Sequence, residues 1–289
     1  MTTLGFIGLG VMGEPMCRNM ATRTGNRMLA FDLRPEPGER LARAGIEVAP
    51  SAAAVVREAE IVFLSLPGGE QVRALSDTVL LPGARAGQTI VDMSTAPVAL
   101  ARELAEAFAE KGADFADAPV ARTRQAAIDG TLSITVGASE EVFQRIEPFL
   151  ACAGSDITHC GEVGAGQFVK IMNNKILIDT VNAIAEAMAI GKRAGIDLEM
   201  LLNTLSKGSG DSFALRNHAR KAMLSRDYPE PAFGVDYALK DLEYAFDLAR
   251  ETGVAVPTSE VSAERLKAAS SAGLGAKYWP AIYEVVDGE

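Results

Sequence analysis

The sequence predicts an α/β domain built on a mainly parallel sheet, followed by a long helix that leads into an all-α domain. Three observations carry this. Short apolar runs alternate with amphipathic stretches through the first half of the chain. The strand pattern stops after "DITHCG" (156–161). Helical periodicity then runs almost unbroken over 161–195.

The expected strands are "TLGFIG" (3–8), "RMLAFD" (27–32), "IVFLSL" (61–66), "QTIVDMS" (88–94), "ADFADAPV" (113–120) and "LSITVG" (132–137). Between them lie amphipathic stretches such as 96–112, which closes on Gly112 as a helix C-cap would. Strands fed by crossover helices imply a mainly parallel sheet covered on both faces. At about 1.5 Å per residue the 161–195 helix spans roughly 45–50 Å, enough to leave one domain and enter another. Further helices are expected at 197–207, 212–225, 232–252 and 258–272, divided by "GSGDS" (208–212), "DYPEP" (227–231) and "GVAVP" (253–257). The expected domains are therefore 1–161 and 162–289, sharing a rigid helix at about 164–194 and no flexible tether.

Composition narrows the function classes. With 48% apolar and 23% charged residues over 289 positions, the chain reads as an ordinary soluble globular protein of one large or two smaller domains. No run of about 18 apolar residues occurs, so no transmembrane helix is expected. The start, "MTTLGFIGLG", has no basic region of the signal-peptide kind. Cys17, Cys152 and Cys160 have neither metal-like nor CxxC spacing, which suits free thiols in a reducing cytoplasm. With only His159 and His218 present, zinc sites and histidine-based triads have few candidates, and no metal is expected. A net charge of −10 argues against nucleic acid as a partner. It is compatible with a small anion held in a locally positive cleft.

The segment "GFIGLGVMGEPM" carries Gly8-x-Gly10-x-x-Gly13 directly after an apolar strand and before a helical stretch. Asp32 ends the second strand, 19 residues beyond Gly13. Strand, glycine turn, helix and distal acid together make the fingerprint of a Rossmann dinucleotide site. The glycines allow the turn and the close approach of a pyrophosphate, with Val11 and Met12 completing the loop. Asp32 can accept the adenosine ribose hydroxyls and repel a 2′-phosphate, which favours NAD over NADP, although Arg34 sits close by. Leu66 and Pro67 end the third expected strand at the ligand edge of such a sheet, and "VDMSTAP" (91–97) ends the next. There Ser94 or Thr95 offers a helix N-cap, and the backbone of Leu66 and Thr95 can line the nicotinamide-ribose side.

In "GAGQFVKIMNNKILID", Lys170 is followed by Asn173 at i+3 and Asn174 at i+4, all on one helix face. A lysine and two amides on an otherwise apolar helix are costly unless used. Reduction of a carbonyl needs one proton donor, and a desolvated lysine can fill that role where histidine is scarce. Asn174 is positioned to orient it and Asn173 to meet a substrate hydroxyl.

"GFIGLGVMGEPMCRNM", "DMST", "DAPV…GTLSITVG", "GAGQFVKIMNN" and "VDYALKDLEYAFDLARETGVAVP" resemble, in order and spacing, the β-hydroxyacid dehydrogenases of the 3-hydroxyisobutyrate dehydrogenase type. The resemblance spans nearly the whole chain. It implies a Rossmann domain, an interdomain helix and an all-α C-terminal domain, akin to that of 6-phosphogluconate dehydrogenase, that helps build homodimers or homotetramers. It also implies that Lys170 is the catalytic acid/base and that Lys240 of "KDL" lies near the cofactor. One motif departs. Where the family reads Ser-Gly-Gly after "DAPV", this chain has Ala121, Arg122 and Thr123. Arg122 supplies a planar fork of donors for an oxyanion and Thr123 a hydroxyl. That pattern resembles the sulfolactaldehyde reductase branch, in which an arginine holds the sulfonate; Arg124 is expected to face outward. The expected activity is an NAD-dependent interconversion of a small anionic 3-hydroxy acid and its semialdehyde, with sulfolactaldehyde preferred. The alternatives are 3-hydroxyisobutyrate, tartronate semialdehyde or succinate semialdehyde as substrate, an imine reductase, and a non-catalytic dinucleotide-binding protein.

Overall fold

A computed structural model describes residues 2–230 and 233–288. The chain divides into two compact units, Met1–Lys170 and Ile171–Glu289. The units divide inside the long helix that the sequence places at about 164–194, immediately after Lys170.

The first unit begins with β1 (Leu4–Ile7), α1 (Gly13–Thr24), β2 (Met28–Phe31), α2 (Pro35–Arg43), β3 (Glu47–Val48), α3 (Ala52–Glu58) and β4 (Ile61–Leu64). There follow α4 (Gly69–Leu75), a π-helical turn at 76–80, α5 (Leu81–Gly83), β5 (Thr89–Asp92), α6 (Val98–Ala109), β6 (Asp114–Asp117) and β7 (Val120–Ala121). The unit continues with α7 (Arg124–Asp129), β8 (Leu132–Gly137), α8 (Glu140–Leu150), β9 (Gly154–Gly161) and the start of α9 (Ala165–Arg193). The sheet order is β3-β2-β1-β4-β5-β6-β8-β7, with β9 pairing β8. From β3 to β6 every pairing is parallel, and β8 runs antiparallel to β6 and β7. Winding reverses between β1 and β4, so the loops after these two strands lie side by side, at the place where open α/β sheets take their ligands.

Alternation along the strands explains why both faces are covered. Leu4, Phe6, Ile61, Phe63 and Val91 point into one core with Met16, Met20 and Leu150. Ile7, Val62, Leu64 and Ile90 point into the other with Val55, Leu100, Leu104 and Phe108. A strand apolar on both faces is stable only between two helical layers.

Three details depart from expectation. The single strand expected at 113–120 is two, because Pro119 has no N–H to donate to a ladder: β6 stops at Asp117, and β7 resumes against β8. The two-residue β3 is exposed and carries no apolar pattern to read. Neither Ser94 nor Thr95 caps α6, whose N-cap is Pro97 without a side-chain hydrogen bond.

The second unit holds the rest of α9, then α10 (Leu198–Leu205), a π-helical segment at 215–223, α11 (Val235–Thr252), α12 (Pro257–Ala269), a π-helical turn at 270–274, a 3₁₀ turn at 279–281 and α13 (Ile282–Gly288). The helix expected from 232 starts at Val235; residue 232, and Pro231 of the expected breaker, lie outside the described residues. The expected helix at 212–225 holds a π-helical segment, and inside it His218 is buried against Trp279 and Tyr278. Its Nδ1 lies 2.6 Å from the Tyr278 hydroxyl. Burial, with Lys221 nearby, pushes the His218 pKa down to about 4. The unfolded chain takes up this proton near pH 6.5 and the native chain does not, so the contribution is complete above about pH 6.5 and drains away towards pH 4. Between pH 7 and pH 5 the wild type loses about 2 kcal/mol from this group. His218→Gln, which still reaches the tyrosine, is expected to lack that loss. Urea midpoints of the two proteins at both pH values check it.

Candidate dinucleotide and proton-transfer site

The loop between β1 and α1 is shaped by its glycines. Gly8 has φ +95°, and a Cβ there would run into the Ser65 carbonyl; a Cβ on Gly13 would strike the Gly8 carbonyl. A Cβ on Gly10, by contrast, would meet nothing within 4 Å. The loop is therefore packed tight underneath and open above Gly10, and Val11 at its crest is exposed. Among the described residues no side chain caps α1, so its first-turn N–H groups and dipole suit an anionic ligand. Glu14 in that first turn does not spoil this, since Arg40 and Arg18 bind it and Arg40 holds its carboxyl below the usual range. Met12 precedes the helix as its half-buried N-cap residue.

Asp32 stands one residue beyond β2. Its Oδ2 accepts from Leu9 N at 2.6 Å and its Oδ1 from Arg34 N at 2.8 Å, which fixes the carboxylate beside the glycine loop. Arg34 Nε lies 3.5 Å from the same Oδ1, while the arginine itself is largely exposed. These residues fit a dinucleotide, with room for the pyrophosphate over Gly10 and an acid in place for the ribose.

After β4, Leu66 N donates to Ser94 Oγ at 2.9 Å, and Ser94 N in turn donates to Asp92 Oδ1 at 2.9 Å. The Ser94 hydroxyl thus ties the loops after β4 and β5 together instead of capping a helix. Thr95 follows in a segment fixed from α9. Gln167 Nε2 donates to Ser94 O at 2.8 Å, and Gln167 Oε1 accepts from Ala96 N at 3.1 Å. Asp117, fully buried at the end of β6, receives the first turn of α9, with Gly164 N on Oδ1 and Gln167 N on Oδ2, each at 2.6 Å. Burial raises the Asp117 pKa to about 6 against these two bonds. No side chain larger than hydrogen fits at Gly166, where a Cβ would approach Asp117 Oδ2 to 2.8 Å.

Lys170 lies one turn beyond Gln167 and is half-buried. Asn173 and Asn174 follow on the same face of α9. Asn173 Nδ2 donates to Asn174 Oδ1 at 3.1 Å, and Asn174, only 4% exposed, donates Nδ2 to Asp241 Oδ2 at 2.7 Å. Asp241 is fully buried on α11 and its Oδ1 lies 3.0 Å from Lys240 Nζ. The Lys240 ammonium also sits over the rings of Tyr237 and Tyr244, 3.9 and 5.2 Å from their centroids. Asp241 is thus the common partner of Asn174 and Lys240.

Residues 121–123 differ from expectation. Arg122 has φ +87°, the left-handed conformation that favours glycine. Its guanidinium does not project freely. It donates to Thr131 O at 2.6 Å and Ser155 Oγ at 3.1 Å, and pairs with Asp156 at 2.7 Å. The Thr123 hydroxyl accepts from Ala126 N and caps α7. Ala121 pairs with Ser133 on β8, and Arg124 is exposed. The expected arginine fork for an anion is therefore engaged with the chain's own carboxylate: Arg122 reaches past β8 to Asp156 on β9, which pairs with the other edge of β8.

Sequence reading missed Asp241, Asp117 and Gln167. All three stood inside the quoted motifs "KDL", "DAPV" and "GAGQFVK", but each is a common residue type whose partners come from distant segments.

Comparison with known proteins accords with this geometry. Residues 3–161 match the family described as the NAD-binding domain of 6-phosphogluconate dehydrogenase. Residues 164–286 match that described as the NAD-binding of NADP-dependent 3-hydroxyisobutyrate dehydrogenase. The chain is 35% identical to 2-(hydroxymethyl)glutarate dehydrogenase of Eubacterium barkeri, over 98% of this chain and 94% of that one. It is 31% identical to the mitochondrial 3-hydroxyisobutyrate dehydrogenase of Rattus norvegicus, over 98% of this chain and 86% of that one. The solved 3-hydroxyisobutyrate dehydrogenase of Mycobacterium tuberculosis with L-serine superimposes with a TM-score of 0.89 at 32% identity, covering 99% of both chains. The glycine loop with its aspartate, the lysine–asparagine helix face and these matches along the full length place the chain in the 3-hydroxyisobutyrate dehydrogenase-type family of NAD(P)-dependent β-hydroxyacid dehydrogenases.

Proposed function

We propose that the protein interconverts a small carboxylated 3-hydroxy acid and its semialdehyde, with Lys170 as proton donor and acceptor. The observation that carries this is the helix face of Lys170, Asn173 and Asn174, held by Asp117 at one end and Asp241 at the other. A bound nicotinamide supplies the hydride in reduction and accepts it in oxidation. In reduction the Lys170 ammonium gives its proton to the carbonyl oxygen as the alcohol forms, and takes a proton back from water; oxidation reverses this. Asn174 orients the lysine and Asn173 meets the substrate hydroxyl, while the backbone of residues 121–123 receives the anionic end, the Arg122 side chain staying with Asp156. Asp32 makes NAD the preferred dinucleotide, with Arg34 leaving room for NADP. Reduced thiols and the family resemblance support a cytoplasmic homodimer or homotetramer; no helix among the described residues is long and apolar enough to cross a membrane.

The 2-(hydroxymethyl)glutarate dehydrogenase and 3-hydroxyisobutyrate dehydrogenase relatives are named for carboxylated substrates, which supports the same choice. A sulfonated three-carbon aldehyde is the second reading, favoured by the arginine at position 122. That reading requires the guanidinium to leave Asp156. The test follows NADH oxidation with sulfolactaldehyde beside methylmalonate, tartronate and succinate semialdehydes, for wild type and Arg122→Ala. A carboxylated substrate is expected to lead, with kcat/KM changed less than about 3-fold by the substitution, as fits a surface ion pair. A sulfonate preference that collapses in Arg122→Ala would overturn the carboxylate reading and leave the dehydrogenase assignment standing.

A further inference from the structure

We infer that Gln167 is a positioning residue, which sets the height of the Thr95 loop relative to Lys170; the inference rests on Lys170 being the proton donor. Two observations carry it. The Gln167 side chain is fully buried, and its single carboxamide grips the backbone on both sides of Thr95, donating to Ser94 O at 2.8 Å and accepting from Ala96 N at 3.1 Å. The start of α9 does not need this side chain, because Asp117 already takes Gly164 N and Gln167 N at 2.6 Å each. A residue serving only the helix would be satisfied there. Instead the amide reaches out to a loop that is itself cross-tied through Ser94 Oγ to Leu66 N.

The carboxamide is matched to its place. A loop that offers one carbonyl and one N–H on either side of a residue is met by a neutral group holding one donor and one acceptor at fixed separation. Gln167 and Lys170 are also one helical turn apart, so the grip on the loop and the proton donor move as one piece. Hydride delivery to the carbonyl carbon and proton delivery to its oxygen both depend on the distance between this loop and the lysine. Gln167 exchanges no proton or electron in the reaction; it fixes a distance.

The experiment introduces Gln167→Leu into the wild-type and the Lys170→Ala chains. It reads kcat for aldehyde reduction, NADH dissociation constant by fluorescence titration, and melting temperature. In the wild-type background kcat is expected to fall about 30-fold, within the roughly 10²-fold that a 1 Å misplacement can cost. The NADH constant is expected to move less than about 3-fold, since the glycine loop and Asp32 hold most of the dinucleotide. In the Lys170→Ala background the same substitution is expected to change the residual rate less than about 3-fold, because the residue acts through the lysine. Equal losses in both backgrounds, or a loss confined to NADH affinity, would overturn the inference alone. A Lys170→Ala chain with undiminished kcat would overturn the proton-donor reading and the inference with it. Gln167→Met, of the same length, takes the place of leucine if that variant melts below the assay temperature.

Discussion

Lys170→Ala is expected to lower kcat by about 10²- to 10⁴-fold, the range that removal of a positioned general acid costs. NADH binding, measured by fluorescence titration, should stay within about 3-fold, because Gly8, Gly10, Gly13 and Asp32 belong to a loop and a strand end that do not depend on the lysine side chain. Lys170→Arg is the informative companion. Arginine keeps the positive charge but cannot release a proton near neutral pH. If charge alone mattered, the arginine chain would recover most of the rate. Proton transfer predicts that it stays within about 10-fold of the alanine chain. Recovery to wild-type rate would remove Lys170 from the chemistry and leave it an electrostatic role only.

The second large effect is expected at Asp241. Its carboxylate is fully buried and faces Asn174 Nδ2 on one oxygen and Lys240 Nζ on the other. Asp241→Ala leaves the buried Asn174 amide without that acceptor and a gap where the carboxyl stood, which together cost about 3 kcal/mol of stability. Lys240 adds little to that figure because it is partly exposed and still lies over two tyrosine rings. Asp241→Asn keeps the volume and one acceptor and should recover more than half of the loss. Thermal denaturation of the three proteins measures this. Equal stability of the alanine chain and the wild type would show that Asn174 and Lys240 find other partners without the aspartate.

The fold was legible because it is written in local periodicities. A strand such as "IVFL" with two apolar faces can only be a central strand between helices, and "GAGQFVKIMNN…" continues at helical spacing until Gly195 takes φ +74°. What escaped were features decided between segments. Pro119 splits one apolar run into two strands with different partners, and two-residue β3 has no pattern to find. The glycine loop could be read because its glycines lie within six residues of one another, and Gly8 and Gly13 each answer a steric demand. Of the two cap candidates, Ser94 shows the opposite case. A serine before a helix looks like a cap, and only the folded sheet brings Leu66 N to its hydroxyl. Arg122 is the clearest case. Its residue type predicts an anion clamp, whereas Asp156, 34 residues along the chain and on the far side of β8, engages its charge.

The same arginine bears on how freely this protein can change what it acts on. At φ +87°, a side chain at position 122 costs of order 1 kcal/mol relative to glycine. That strain is small beside the stability of a folded domain, so position 122 can hold arginine or glycine without unfolding the chain. Gly8 and Gly13 have no such latitude, since any side chain there collides with backbone. The glycine loop after β1 is thus locked by sterics, while residue 122 can be changed without unfolding the chain. On the proposed reading of 121–123 as the segment that receives the substrate anion, this is where substitutions can accumulate before any compensating change is needed elsewhere.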